Sequence, residues 1–174
     1  MTDSAFMTKI QKTNAARLLD RAKIAYELIP YTVDENNLAA THIAEELGED
    51  IATVFKTIVL TAGPHHYFVC VVPGDAEIDL KKAAKVAGYK KVDLIPMKEL
   101  LPLTGYIRGG CSPIGMKKPF PTYFHSTAAD LPFVYVSAGV RGLQFRIAPS
   151  DLIKYVGAGL ADLIKDKENP DEDE

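Results

Sequence analysis

The sequence predicts a single domain of mixed α/β (α+β) class, a mixed β-sheet flanked by helices. Three observations lead there. The 174-residue chain is 47% apolar and 25% charged, a balance that lets one soluble domain bury a real core. Short apolar strand patterns recur, some of them joined by tight turns. Helical patterns are scattered among them without the regular alternation of a parallel βαβ array. Strands this short are able to curl toward a barrel, and no internal repeat or heptad run competes with the one-domain reading.

Thr13 is placed to cap a first helix whose apolar stripe is Ala15, Leu18, Leu19 and Ala22. From Ile24 the period changes to two, with Ile24, Tyr26 and Leu28 on one face of a strand that Pro30 ends or edges. A polar loop, Asp34 to Asn37, leads to a helix with Thr41 as expected cap, Ile43, Ala44 and Leu47 inward, and Gly48 as its stop. Val54 to Leu60 (VFKTIVL) reads as a buried strand. Gly63 and Pro64 turn the chain, and Tyr67 to Val72 returns as a second strand. Asp79 caps a helix with Leu80, Ala83, Ala84 and Val86 inward. Val92–Ile95 predicts a short strand and Lys98–Leu103 a short helix. Strands follow around Pro121–Phe124, Phe133–Ser137 and Leu143–Ile147, and a last helix begins near Ser150.

Several function classes fall away early. No apolar run approaches the roughly 20 residues a membrane span needs, and the N-terminus lacks the pattern of a secretory signal. Cys70 and Cys111 have no CxxC spacing, so neither a disulfide framework nor a structural zinc is expected. The expectation is a cytoplasmic protein with no membrane association and no cofactor. A net charge of −3 argues against indiscriminate nucleic-acid binding. Basic residues nevertheless gather at Lys81, Lys82, Lys85, Lys90 and Lys91, either as a solvated helix face or as a local face for a polyanion. Residues 1–12 are expected to be an extension, 13–165 the domain, and 166–174 an acidic, disordered tail that carries Pro170 and no apolar residue.

Two local anomalies bear on chemistry. Lys56 sits in the middle of VFKTIVL, so its side chain is either on a wet strand face or aimed into a cavity with an anionic partner. The segment GYIRGGCSPIG, Gly105 to Gly115, carries four glycines whose unhindered N–H groups are able to cradle phosphate or carbonyl oxygens. It is neither a P-loop nor a nucleophile elbow. Cys111 has no base nearby in sequence, and Cys70 reads as a strand-core residue. His42, His65, His66 and His125 lack metal spacing and are expected at the surface, and Glu77 with Asp79 reads as helix capping. No Ser/His/Asp triad can be assembled. Any catalysis must come from positioning, electrostatics or the substrate itself.

The strand VFKTIVL, the turn GYIRGGCSPIG and the later YVSAGVRGLQ (Tyr135 to Gln144), in that order, resemble the YbaK/EbsC family, which is similar to the editing domain inserted in bacterial prolyl-tRNA synthetases. The resemblance runs from about Thr13 to Leu163. It implies a curved, barrel-like mixed sheet and a trans-editing deacylase acting on the 3′ aminoacyl end of a tRNA, removing cysteine mischarged onto tRNA(Pro) and, as a further substrate, cysteine from tRNA(Cys). Prolyl-tRNA synthetase is then a candidate partner. By position, Lys56 matches the family lysine, Thr57 the hydroxyl residue beside it, Tyr31 a pocket tyrosine, Gly109 the glycine whose backbone faces substrate, and Ser137 the serine of YVS. Backbone N–H groups at Gly109 and Gly110 are expected to receive the oxyanion, with Ser112 and Pro113 contributing substrate contacts. Where the cysteine-specific branch has an aspartate, this chain has Gln144, which leaves open an alanine or other small substrate cleaved by water, or a binding module without turnover.

Overall fold

The computed structural model describes residues 11–166. Most of the expected N-terminal extension and acidic tail lie outside them. Helix α1 (Asn14–Arg21) begins where Thr13 Oγ1 accepts from the Ala16 N–H at 3.1 Å, and it buries Ala15, Ala16 and Leu19. Strand β1 (Tyr26–Pro30) follows, Pro30 being its last residue. Helix α2 (Ala40–Leu47) starts earlier than a Thr41 cap implies: the Ala39 carbonyl accepts from His42 and Ile43, and no side chain caps the end. Thr41 lies inside the first turn because the backbone closes that turn without it.

The hairpin of β2 (Phe55–Gly63) and β3 (His66–Pro73) is the spine of the molecule. Helix α3 (Leu80–Ala87) is capped by Asp79, whose Oδ1 accepts from the Lys81 and Lys82 N–H groups. The expected strand at Val92–Ile95 shrinks to β4 (Asp93–Leu94), cut short as Pro96 opens a single tight turn at Met97–Glu99 before α4 (Leu100–Thr104). Then come β5 (Thr122–His125), β6 (Val134–Ser137), β7 (Leu143–Ile147), α5 (Pro149–Val156) with Pro149 in its first turn, and β8 (Gly159–Ala161). Three residues are too few to show an alternation, which is why β8 left no mark on the sequence pattern.

The sheet is mixed, as expected, but divided. Five strands run in the order β4-β2-β3-β5-β8, antiparallel around β2 and parallel around β5. Three antiparallel strands run β1-β7-β6. A parallel bridge between Val54 and Tyr135 joins the two sheets at one corner, and they do not close into a barrel.

Strand alternation distributes β2 and β3 between two cores. Phe55, Val59, Val69 and Val71 enter the main core with Phe145 and Val136 of the smaller sheet. Leu60, Phe68, Cys70 and Val72 enter a second, beneath α3 and Leu163. A third small cluster, Ile43, Ala44, Val54 and Tyr135, packs α2 against the smaller sheet. Each fully buried large side chain contributes roughly 1.5–3 kcal/mol relative to exposure, so β2 is fixed firmly between its neighbours. That rigidity positions Lys56.

Candidate functional site

A cavity of about 520 Å³ opens where β2, the Gly105–Gly115 turn and the ends of β6 and β7 meet. Small-ligand clefts typically span roughly 300–1,000 Å³. Lys56, Thr57, Gly109, Ser137 and Gln144 all line it, joined by Arg108, Cys111 and Glu77. The two sequence anomalies therefore face one space.

The cavity exists because β2 is only partly covered. Strand β4 pairs with Leu60 and Thr61 alone, leaving the stretch from Phe55 to Ile58 without a strand neighbour on that side among the described residues. Lys56 lies there, half-buried. Burial holds its pKa below the ordinary lysine value, opposed by the carboxylates of Asp75 and Glu77, which favour the charged form.

The turn is held by side-chain and backbone hydrogen bonds together. Thr104 Oγ1 donates to the Leu100 carbonyl at 2.7 Å and accepts from the Tyr106 N–H at 3.0 Å, and the Tyr106 hydroxyl donates to the Ile114 carbonyl. The Gly110 N–H donates to the Ile107 carbonyl at 2.9 Å, and Arg141 Nε donates to the Arg108 carbonyl at 2.9 Å. Gly109 has φ +85°, and an added Cβ would lie 3.3 Å from both Leu38 Cδ2 and Arg141 Nε. At Gly110 a Cβ would stand 3.2 Å from backbone atoms of Val140 and Arg141. These glycines let the turn press against the β6–β7 connection.

Ser137 and Gln144 are register partners in β6 and β7. Ser137 Oγ accepts from the Gly139 N–H at 3.1 Å. Gln144 is 2% exposed. Among the described residues three buried side-chain polar atoms lack a hydrogen bond, and two of them, Thr57 Oγ1 and Gln144 Oε1, belong to cavity residues. Buried polar groups are nearly always paired, with protein or with ordered water, so two such atoms beside one cavity make it a candidate site for a polar ligand.

Other expected site residues lie elsewhere. Tyr31 packs with the third cluster beside α2, and its N–H donates to the Gly142 carbonyl. Gly110 has its N–H committed within the turn, which corrects its expected role as an oxyanion donor. Ser112 is buried and accepts from the Ile114 N–H at 3.2 Å, and Pro113 lines a separate recess beside Leu18 and Tyr155. Their side chains shape the turn and do not line the cavity.

The remaining candidates divide similarly. Burial pushes the Cys111 thiol up to about 12, with the Thr104 hydroxyl opposing, so it is poorly suited to attack. The surface expectation for the histidines fails at His125, which is 4% exposed and accepts from the Leu163 N–H through Nδ1. Lys82 of the basic cluster is tied to Asp162 and Asp166. Sequence reasoning passed over Arg108 and Glu77 as site residues. Arg108 was visible inside the turn motif, whereas Glu77 had only its place before the α3 cap to announce it. No group of three or more metal-binding side chains occurs among the described residues. No described helix is long and apolar enough to cross a membrane.

Comparison with known proteins bears on this geometry. A family model for the aminoacyl-tRNA editing domain matches residues 34–155. A candidate Cys-tRNA(Pro)/Cys-tRNA(Cys) deacylase of Enterococcus faecalis, EbsC, is 43% identical over 153 residues, 88% of this chain and 93% of that protein. A proline–tRNA ligase of Cupriavidus necator is 27% identical over 97% of this chain but only 30% of the ligase. The crystal structure of a candidate trans-editing enzyme for prolyl-tRNA synthetase superposes with a TM-score of 0.75 at 24% identity, covering 90% of this chain and all of that one. That last likeness speaks for the fold.

Proposed function

The chain belongs to the aminoacyl-tRNA editing domain family, and from that premise we propose that it is a trans-editing deacylase that removes cysteine from tRNA(Pro), and also from tRNA(Cys). The observation that carries the reading is the cavity itself. It joins Lys56 and Arg108 to Gly109 and to two polar atoms without a hydrogen bond, and among the described residues that line it there is no nucleophile–base pair.

That set suits an ester that is already reactive. Lys56 and Arg108 supply positive charge for a phosphate or acyl oxygen of the 3′-terminal nucleotide. The Gly109 N–H faces the carbonyl as it becomes an oxyanion. With a cysteinyl ester the substrate's own sulfur forms a bond to the carbonyl carbon, the bond from that carbon to the ribose oxygen breaks, and the thiol proton passes to the ribose oxygen. The products are a cyclic thiolactone and a free 3′ end. Holding the thiol against the carbonyl is the main contribution required of the protein.

The test is a deacylation assay on tRNA(Pro) charged with cysteine, alanine or proline. Wild-type protein releases cysteine, and Lys56→Ala slows release roughly a hundredfold or more. Cysteine blocked at sulfur stays attached. Failure to release any of the three amino acids removes the enzyme reading, and release of alanine in preference to cysteine replaces thiol attack with attack by water.

A further inference from the structure

We infer that the main-chain N–H and C=O of Thr57, on the uncovered edge of β2, grip the aminoacyl group as though it were one residue of an added strand. The inference rests on the deacylase reading and specifies how the acyl group is held.

The direction in which Thr57 presents its backbone follows from three observations. In an antiparallel pair, alternate residues turn both backbone groups toward the partner strand and the residues between them turn both away. Val59 turns away from β3, because its carbonyl accepts from the Ile95 N–H at 3.3 Å on the opposite side. Its register partner Val69 likewise turns away, donating to the Pro121 carbonyl at 2.8 Å. Phe55 lies opposite Pro73, which has no N–H to exchange. Thr57, opposite Val71, stands between Phe55 and Val59 in this alternation. Its N–H and C=O therefore point out of the sheet edge, into the cavity that Thr57 lines.

No strand among the described residues meets them. Strand β4 stops after Leu94, and Pro96 turns the chain into Met97, another cavity residue. An edge of this kind is a ready template for a strand-like ligand. The unpaired Thr57 Oγ1 and Gln144 Oε1 point to a polar occupant.

An aminoacyl ester has the matching groups. Its α-ammonium donates where a strand residue has its N–H, and its carbonyl accepts where a strand residue has its C=O. The Thr57 carbonyl takes the ammonium, and the Thr57 N–H takes the carbonyl oxygen. As sulfur or water attacks, charge develops on that oxygen and the Thr57 N–H becomes a second oxyanion donor beside that of Gly109. This fills the vacancy left by Gly110, whose N–H is spent within the turn. In such pairing the substrate side chain lies on the same sheet face as that of Thr57.

The experiment replaces the residue 57 amide with an ester. The reference is Thr57→Val, which removes the hydroxyl and keeps the N–H. The comparison protein carries the α-hydroxy acid of valine at the same position, which replaces the N–H with oxygen and makes the Lys56 carbonyl, paired toward Val72, a weaker acceptor. The expected result is a further loss of roughly a hundredfold or more in single-turnover deacylation with the fold retained, because the residue 57 N–H bonds no atom among the described residues. The melting temperature falls only modestly, through the weakened Lys56 carbonyl in the β2–β3 ladder. A rate within about threefold of Thr57→Val overturns the proposal while leaving the deacylase reading intact. Loss of folding in the ester protein also overturns it, since the N–H would then be a structural donor. If wild-type protein releases no amino acid, the deacylase reading and this inference fall together.

Discussion

Replacing Gln144 with methionine should stabilise this protein and impair it. The carbonyl of Gln144 is buried without a hydrogen bond in a residue only 2% exposed. An unsatisfied buried acceptor costs about 1–3 kcal/mol. Methionine has nearly the same length and volume, so the exchange opens no hole and forces no clash. For a chain of this size 1 kcal/mol moves the melting temperature by about 2–4 °C, which places the expected rise at about 2–12 °C, measurable by scanning calorimetry. If the carbonyl accepts from substrate, losing a bond to a charged or strongly polar donor costs about 1.5–3 kcal/mol, or a fall of roughly 10- to 150-fold in kcat/KM for deacylation. The two readouts must diverge. A lower melting temperature for Gln144→Met would refute the reasoning, because it would mean that the carbonyl is satisfied in solution. Unchanged kcat/KM with a raised melting temperature would show an orphan that substrate never uses.

Two further outcomes follow from burial of charge. Lys56 has a folded-state pKa below its ordinary 10.5 because burial opposes the ammonium, so between those two values the unfolded chain holds more protons and stability rises with pH. The penalty is therefore fully present below the folded pKa. Lys56→Met should melt higher than wild type near neutral pH, with an advantage that shrinks as pH climbs toward 10.5, and an advantage that grew with pH would contradict the assignment. Cys70 and Cys111 both have thiols pushed up to about 12 by burial. A thiol pushed from 9.0 up to about 12 has roughly a thousandfold less thiolate, so alkylation of the native protein near neutral pH should be far slower than in urea, and comparable rates would remove that account of Cys111.

What the sequence revealed was local. Thr13 and Asp79 announced the starts of α1 and α3 because a cap is a contact over two or three residues. Lys56 and the glycine turn stood out because each breaks its immediate context. What escaped was decided at a distance. Whether β2 had a covered or an open edge depended on Pro96 stopping β4, more than thirty residues downstream of Thr57. His125 is buried because Leu163 brings its N–H to the ring, and a lone histidine gives no hint of that. Ser112 and Pro113 shared a motif with Gly109, yet the turn sends them away from the cavity, since adjacent positions in a tight bend point in different directions. Gln144 registered as a departure from the family pattern, but only the folded packing exposed its carbonyl as unpaired.

The cavity walls extend along the chain from Leu38 to Gln144, and this span determines when during its own synthesis the protein becomes competent. A ribosome-borne chain that has emerged as far as the turn already carries Lys56 and Gly109, but not the β6–β7 hairpin that supplies Ser137 and Gln144. Pairings between segments so far apart wait on the closure of long loops and form slowly. A pocket suited to correcting errors in translation is thus completed late in its own translation, and a chain stopped before β7 would lack part of its walls.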